Sequence, residues 1–158
     1  MPGPIFKQID LKKVLMRSVQ LNVSSNQNIK INLKDKNNSN YMMSGDEDQM
    51  NRVFLNLIKN SIESIDDKLN KTVNFKGKID VEIYSDKDYI YTIIEDNGLG
   101  FDTNNIKKML TPYFTTKKNG TGLGLAIVNK IINEHDGNIH FKSNNHGARV
   151  QIIIPKGK

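Results

Sequence analysis

Two amide side chains interrupt an otherwise apolar segment, FLNLIKNSIES, at a spacing of four residues. They are Asn56 and Asn60, and on a helix this spacing places both on one face, with Glu63 close by. An amide oxygen is a neutral, hard ligand that suits a magnesium ion holding most of its waters and taking its other ligands from phosphates. The polar boundary of an amphipathic helix would explain a single asparagine, whereas the pair in register favours a magnesium site.

A carboxylate, Asp96, stands where an apolar strand pattern ends, in YTIIEDNGLGFD. A carboxylate buried at that point needs hydrogen-bond donors, and the exocyclic amine of a purine would supply one. Gly98 and Gly100 would let the backbone turn sharply and approach a flat base. An ordinary turn after a strand explains Asp-Asn-Gly equally well, so this motif alone leaves both interpretations open.

A third segment, GTGLGL, places glycines at 120, 122 and 124 directly before an apolar helix pattern. The spacing matches neither the phosphate loop that ends in Gly-Lys-Ser/Thr nor the dinucleotide motif Gly-x-Gly-x-x-Gly. Glycines at a helix start still present free backbone amides and the positive end of the helix dipole, which together bind phosphate. Residues 101–120 are polar and predict a lid that orders over a nucleotide. Further donors in this region are Thr115, Thr116, Lys117, Lys118 and Thr121.

The elements that would position these motifs follow from hydrophobic periodicity. Ile79, Val81 and Ile83 are expected to pair with the segment Tyr89, Tyr91 and Ile93 in an antiparallel hairpin across the turn SDKD. Asp10 and Asp46 are placed to begin helices, Gly137 to end one, and Pro155 to end the last strand. Strands are predicted at 5–9, 29–33, 41–44, 79–83, 89–93, 139–143 and 149–154, and helices at about 11–23, 46–70 and 122–135.

This order of elements predicts an α+β fold. We expect a two-layer α/β sandwich, in which a mixed, mostly antiparallel sheet is covered on one face by about three helices. The length of 158 residues is enough for one core, so residues 5–158 are predicted to form a single domain. Residues 1–4, MPGP, are interpreted as a start methionine and an expression remnant.

Composition narrows the functional classes further. The chain has no cysteine, which excludes disulfides, thiolate metal sites and a cysteine nucleophile. No apolar run approaches the roughly 18 to 20 residues of a membrane helix, and no signal-peptide pattern opens the chain. The net charge of +6 favours anionic partners. The lysines are scattered, and with no Trp and 7% aromatic residues the chain shows no basic groove with stacking side chains, so nucleic acid is not an expected partner.

Four motifs in order resemble the catalytic and ATP-binding domain of bacterial sensor histidine kinases, in the superfamily shared with DNA gyrase, the mismatch-repair ATPase and a heat-shock chaperone. The asparagine box corresponds to NRVFLNLIKNSIES, the first glycine box to DNGLGFD, the phenylalanine box to PYFTTK and the second glycine box to GTGLGLAIV. TPYFTTK together with GTGLGLAIV is most similar to the nitrogen-regulation class. The resemblance covers nearly the whole chain and implies the Bergerat-type ATP-binding fold.

The same resemblance implies roles for individual residues, with ATP and Mg2+ as ligands. Asn60 would bind Mg2+, and Asp96 would bind the adenine amine in a pocket shaped by Gly98 and Gly100. Asn56, Asn60 and Lys117 form the implied catalytic set, with Asn56 also in contact with the nucleotide. The terminal phosphates would be contacted by Thr115, Thr116, Lys117 and Thr121 and cradled by Gly120, Gly122, Leu123 and Gly124.

Two departures from the superfamily pattern matter. Its ATP hydrolases carry a glutamate one helical turn before the magnesium asparagine, where this chain has Asn56. Since an amide cannot take a proton from water, slow intrinsic ATPase activity is expected. A histidine acceptor needs little base assistance because an imidazole with a pKa near 6.5 is largely neutral at pH 7. In the last strand, Ala148 and Arg149 stand where small hydroxyl residues are frequent, which puts a hydroxyl contact near the base in doubt.

The three histidines limit what the chain could do alone. His135, His140 and His146 all lack the sequence context of a phosphoacceptor helix and are predicted to be structural or solvated. The phosphoacceptor would then belong to a dimerisation domain absent from this chain. The isolated domain is expected to be mainly monomeric and to bind Mg-ATP without autophosphorylation.

The resemblance also implies partners and a location. The partners would be the kinase's own dimerisation and phosphoacceptor domain and a response regulator, within a homodimeric parent. The domain would lie in the cytoplasm without touching the membrane itself, while the parent would be anchored in the inner membrane. Two alternatives stay open, namely a serine kinase of the same superfamily and a nucleotide-insensitive module that recruits a response regulator.

Overall fold

Our computed structural model describes residues 3–23, 28–100, 124–144 and 146–156. These residues contain seven strands and three helices. Every predicted element has a counterpart, with ends shifted by a few residues. In chain order the elements are β1 (Lys7–Asp10), α1 (Leu11–Val23), β2 (Ile29–Asp35), β3 (Met42–Gly45), α2 (Glu47–Leu69), β4 (Gly77–Ser85), β5 (Tyr89–Asp96), α3 (Gly124–Glu134), β6 (Asn138–Asn144) and β7 (Gly147–Pro155).

The main sheet contains five strands in the order β2-β4-β5-β7-β6. Strands β2 and β4 run parallel, and the other three pairs are antiparallel. The predicted mixed, mostly antiparallel sheet is therefore confirmed. The first strand pairs with β3 in a separate two-stranded antiparallel sheet.

The hydrophobic core lies between the three helices and one face of the main sheet. Helix α2 packs against both other helices and against β4 and β5. Its apolar residues recur at three- and four-residue steps, so they form one buried stripe. Each such side chain contributes about 1.5 to 3 kcal/mol when it leaves water. The buried apolar residues of α2 are Met50, Val53, Phe54, Leu57, Ile58 and Ile65.

The register between β4 and β5 differs from the predicted residue pairs. Ile79, Val81 and Ile83 lie opposite Asp96, Ile94 and Thr92, so the pairs with Tyr89, Tyr91 and Ile93 were wrong. A shift of one residue exchanges the two faces of a strand. Ile90 and Ile94 lie on the core face, whereas Ile93 shares the opposite face with the two tyrosines, which keep their hydroxyls at the surface. This register places Asp96 on the face covered by the helices.

Helix ends follow the predicted capping chemistry with one exception. Asp46 precedes α2, and its side chain accepts a hydrogen bond from the Gln49 amide at 3.1 Å. After α3, the left-handed residue is Asp136 with φ 58°, rather than Gly137. Gly137 is required for a different reason, because a Cβ there would lie 2.7 Å from the carbonyl oxygen of Ile153 on β7.

The end of α3 and the start of α2 meet at His135, which is only 4% exposed. The Asp46 amide donates to Nε2 at 3.0 Å, so Nδ1 carries the ring proton and donates to the Ile131 carbonyl at 2.8 Å. The ring also stacks on Phe6 at 4.7 Å. His135 is thus a structural histidine, as expected, and His140 and His146 are exposed.

No helix among the described residues combines the length and the apolar character that a membrane span requires. The division of the chain into residues 1–4 and a domain at 5–158 stays a prediction.

Candidate functional site

The residues of the candidate site either lie on helix α2 or lie next to it. A Cβ at Gly124, the first residue of α3, would lie 3.9 Å from Asn56 Oδ1, so the start of α3 faces Asn56. Further along, Ser61 is a polar neighbour of the Asp96 carboxyl group, and Ser64 packs against Gly98. From Asn56 to Ser64 the helix rises about 12 Å. Residues from the asparagine box and from both glycine boxes therefore lie along one side of one helix.

Asp96 occupies the inner face at the end of β5 and is 8% exposed. The Gly98 amide donates to Oδ1 at 2.9 Å, and the Ala148 amide donates to the same oxygen at 3.4 Å. Ser61 on α2 is a further polar neighbour of the carboxyl group and acts to lower its pKa. A carboxylate has about four acceptor positions. Among the described residues, both amide bonds go to Oδ1, so acceptor positions of the carboxyl group remain for a ligand.

Burial dominates the electrostatics of this carboxyl group. Desolvation raises the pKa of Asp96 above its ordinary value, and the hydrogen bonds from Gly98, Ser61 and Ala148 offset only part of that effect. The charge of neighbouring Glu95 raises the pKa a little more. A donor from a ligand would favour the ionised form and complete the set of partners. Asp96 therefore has the properties of a ligand-binding acceptor.

Three glycines allow the backbone to close around Asp96. A Cβ on Gly98 would lie 2.8 Å from the carbonyl carbon of Ser64, so only glycine lets this loop reach α2. Gly147 at the start of β7 has φ 139°, and a Cβ there would lie 2.7 Å from the carbonyl carbon of Asp96. Gly100 has φ 77°, which side chains disfavour. The predicted need for Gly98 and Gly100 in a close turn is met.

The loop after Asp96 is fixed by Asn97. Its Oδ1 accepts from the Lys78 amide at 2.7 Å, and its Nδ2 donates to the Lys76 carbonyl at 3.1 Å. Lys68, in the last turn of α2, donates to the Asn97 carbonyl at 3.0 Å and lies over the Phe75 ring. These bonds hold the loop to both β4 and α2, so the backbone beside Asp96 is preorganised.

Both asparagines are half-buried on α2. Asn56 and Asn60 are one helical turn apart, and Asn56 lies close to the start of α3. Of the other predicted nucleotide contacts, Gly124 is described and begins α3. The remaining ones lie outside the described residues, together with the predicted lid: Thr115, Thr116, Lys117, Gly120, Thr121, Gly122 and Leu123.

Sequence reasoning missed several residues that shape the site. Ser61, Lys68, Asn97 and Gly147 were not singled out. Ser61 could have been noticed because it follows Asn60 directly and lies on the buried side of a strongly periodic helix. The other three depend on contacts between distant parts of the chain. At Ala148, the strand supplies its backbone amide to Asp96 in place of a side-chain hydroxyl.

Comparison with known proteins places this geometry in a family. Residues 45–158 match the family model described as histidine kinase-, DNA gyrase B- and HSP90-like ATPase. Sporulation kinase A of Bacillus subtilis is 34% identical over 151 residues, which are 94% of this chain and 23% of that protein. The sensory histidine kinase/phosphatase NtrB of Rhizobium leguminosarum is 34% identical over 119 residues, covering 70% and 31%. The chain thus spans well under half of these relatives.

Solved structures agree with the sequence comparison. The nucleotide-free catalytic domain of histidine kinase ThkA superimposes with a TM-score of 0.80 at 26% identity, covering 97% of both chains. The mycobacterial sensor histidine kinase MprB gives a TM-score of 0.82 at 21% identity, covering 97% of this chain and 99% of that one, which supports the fold alone. The chain therefore belongs to the histidine kinase-, DNA gyrase B- and HSP90-like ATPase family, as an ATP-binding domain of the kind found in sensor histidine kinases.

Proposed function

We propose that this chain binds Mg-ATP through the α2-centred site and acts as the catalytic domain of a two-component sensor histidine kinase. It would transfer the γ-phosphate to a histidine on a dimerisation domain outside this chain. The observation that carries the proposal is the buried Asp96, whose loop packs through Gly98 against the same helix that bears Asn56 and Asn60.

The base would bind at Asp96. An adenine amine donates to an ionised carboxylate, and that charge-assisted hydrogen bond replaces the water that the buried group would otherwise need. Gly98 and Gly100 shape the backbone beside the carboxylate so that a flat ring can approach it. Asn97 and Lys68 keep this backbone in place without contacting the base.

The phosphates would lie toward Asn56, Asn60 and the start of α3. Gly124 leaves the first turn of α3 without a side chain beside Asn56, which suits an anion at a helix N-terminus. The amide of Asn60 fits as a Mg2+ ligand, since Mg2+ accepts neutral oxygen and completes its shell with phosphates and water. Bound there, the ion would neutralise phosphate charge. Lys117 and the lid threonines are proposed to contact the terminal phosphates.

The asparagine pair fits transfer to histidine better than hydrolysis. Neither amide can deprotonate water, so ATP would be held without efficient hydrolysis. A neutral imidazole from the phosphoacceptor domain needs no such base. The domain should therefore hydrolyse ATP more slowly than a dedicated ATPase. A turnover of about 1 per second or more in the isolated chain would contradict this.

The wider setting is proposed on the same basis. The partners would be the kinase's own dimerisation and phosphoacceptor domain and a response regulator. The isolated domain would be a monomer and its parent a homodimer. The parent would be anchored in the inner membrane, with this domain on the cytoplasmic side and not in contact with the bilayer.

Isothermal titration calorimetry with ATP, with and without Mg2+, tests the proposal. Saturable binding is expected, and Asp96→Ala should weaken it at least about 100-fold because a charge-assisted hydrogen bond and its orientation are lost. Asn60→Ala should keep binding and lose its dependence on Mg2+. Absence of binding at millimolar ATP would contradict the proposal and favour a nucleotide-insensitive interaction module. Stable label on the isolated chain from γ-labelled ATP would contradict the missing phosphoacceptor.

A further inference from the structure

The start of α2 contains a capping arrangement of which only one half is formed. Asp46 is the N-cap, and its side chain accepts a hydrogen bond from the amide of Gln49, three residues along, at 3.1 Å. In a complete capping box, a Glu or Gln at this third position returns the contact and accepts from the backbone amide of the N-cap. Here the Asp46 amide donates instead to Nε2 of His135 at 3.0 Å.

The side chain of Gln49 is left with an unused acceptor. The residue is 8% exposed, and its Oε1 atom is buried without a hydrogen-bond partner among the described residues. A buried acceptor without a partner is unfavourable, because it has lost its hydrogen bond to water. The Asp46 amide thus has two acceptors of suitable type. His135 is bonded to it, and Gln49 occupies the helix position from which a capping box would bond to it.

The contact with His135 also fastens the segment that leads into β1, which we call the entry segment (residues 3–6). The amide of Ile5 donates to Asp46 Oδ2 at 2.8 Å, and the Phe6 ring stacks on the His135 ring at 4.7 Å. His135 directly follows α3. Asp46 and His135 therefore join three parts of the fold, namely the start of α2, the end of α3 and the entry segment.

We propose that His135 and Gln49 form a two-position clasp on the Asp46 amide. In the arrangement that the structure shows, His135 accepts from this amide and the entry segment is held against α2. When the entry segment and the end of α3 move away from α2, the Gln49 side chain takes over the same hydrogen bond and completes the capping box. The buried N–H then has an acceptor in both arrangements, which lowers the free energy required for the movement.

The consequence concerns the helix that bears the candidate site. Helix α2 carries Asn56 and Asn60, and its N-terminus stays capped in either arrangement of the clasp. The entry segment is thus able to detach without unwinding the first turn of this helix. The inference goes beyond the proposed ATP binding and does not depend on it.

Amide hydrogen exchange, followed by NMR on the whole chain, tests which acceptor the Asp46 amide uses. Exchange rates are compared with that of the Ile58 amide in the middle of α2, so that a general loss of stability cancels. In His135→Ala the Asp46 amide should stay protected, because Gln49 replaces the imidazole. Adding Gln49→Met, which has a similar length and only a weak sulfur acceptor, should make this amide exchange about tenfold faster, as for loss of one hydrogen bond.

Urea denaturation of the same four chains gives an independent measure. Gln49→Met alone should leave the unfolding equilibrium constant unchanged or lower it, since it removes an acceptor without a partner among the described residues. His135→Ala should raise this constant about tenfold more in the Gln49→Met chain than in the unmodified chain. Thr92→Val is the matched control, because the Thr92 hydroxyl oxygen is likewise buried without a described partner but lies on β5. Its effect should add to that of His135→Ala.

The outcomes separate the clasp from a purely structural histidine. An Asp46 amide that is protected in His135→Ala and loses protection only in the double variant supports the clasp. Fast exchange already in His135→Ala, with no further change on Gln49→Met, overturns it, and so do additive effects of the two substitutions on stability. Phe6→Ala loosens the entry segment without removing the imidazole, so the same cycle with Phe6→Ala covers a double variant that does not fold. Neither readout involves ATP, so failure of the clasp leaves the proposed function standing.

Discussion

Two carboxyl groups, those of Asp46 and Asp96, contact α2 in different surroundings. The surroundings of Asp46 suit a structural role, and those of Asp96 suit ligand binding. Asp46 caps the helix N-terminus and accepts from the amides of Ile5 at 2.8 Å and Gln49 at 3.1 Å. Desolvation acts to raise its pKa, but the hydrogen bonds from Ile5, Gln49 and Asp48 together lower it. At Asp96, alongside the middle of the same helix, desolvation outweighs the hydrogen bonds and the pKa is raised.

The two regions favour different protonation states of their carboxyl groups. The Asp46 region favours the charged form and gains stability from it, as expected at the positive end of a helix dipole. The Asp96 region disfavours the charged form and so costs stability at neutral pH. A buried group that is kept in spite of such a cost is a candidate for ligand binding.

The largest loss of stability is expected for Gly147→Ala, which disrupts the packing around Asp96. The new Cβ would collide with the Asp96 carbonyl group, at a backbone φ of 139° that side chains avoid. Chemical denaturation should show a loss of at least about 3 kcal/mol in the free energy of unfolding. Gly3→Ala is the control, because a Cβ at Gly3 would meet no atom within 4 Å. Equal stability of the two variants would contradict the close packing of β7 on Asp96.

An intermediate loss of stability is expected for His135→Ala, which removes contacts around Asp46. The variant leaves the Asp46 amide without its partner, removes one of the two hydrogen bonds to the Ile131 carbonyl, and removes the stacking on Phe6. The free energy of unfolding should fall by about 2 kcal/mol. ATP affinity, measured by calorimetry, should change little, because no contact links His135 to the base end of the site among the residues described. A large loss of affinity at unchanged stability would refute the separation of the two regions.

The smallest effect is expected for Asp46→Ala, which removes the cap and should cost about 1 kcal/mol at pH 7. A carboxyl group whose folded pKa is lowered contributes stability above its unfolded pKa and loses that contribution as the pH falls through the folded pKa. The difference between variant and unmodified chain should therefore shrink in acid, below about pH 4. Urea denaturation at several pH values measures it. A stability difference that increases in acid would contradict the lowered pKa of Asp46.

The parts of the molecule that the sequence predicted are those governed by local pattern. The apolar stripe of α2 and the alternation in β4 determine helix and strand directly. Asp96 at a strand exit predicted a buried carboxylate that needs donors, and the structure places two amides and a hydroxyl around it. The asparagine spacing likewise predicted that Asn56 and Asn60 share one face of the helix.

The parts that the sequence did not predict depend on contacts between distant segments. The pairing of β5 with β4 could shift by one residue without violating the local pattern, because isoleucine and tyrosine both favour strands. The contact of Ser61 with Asp96 and the packing of Gly147 on Asp96 join residues far apart in the chain. The separate sheet of β1 and β3 is likewise a tertiary pairing.

The most direct test is the free energy of unfolding of Asp96→Asn and of the unmodified chain at pH 7, each with and without Mg-ATP. Because asparagine removes a buried charge of similar shape, the variant should be more stable than the unmodified chain without nucleotide, by about 1 kcal/mol. Mg-ATP at about 100 times its Kd should stabilise the unmodified chain by about 2.7 kcal/mol and the variant hardly at all. A variant that is less stable without nucleotide, yet is stabilised by Mg-ATP as much as the unmodified chain, would contradict the assignment of Asp96 as the base-binding residue.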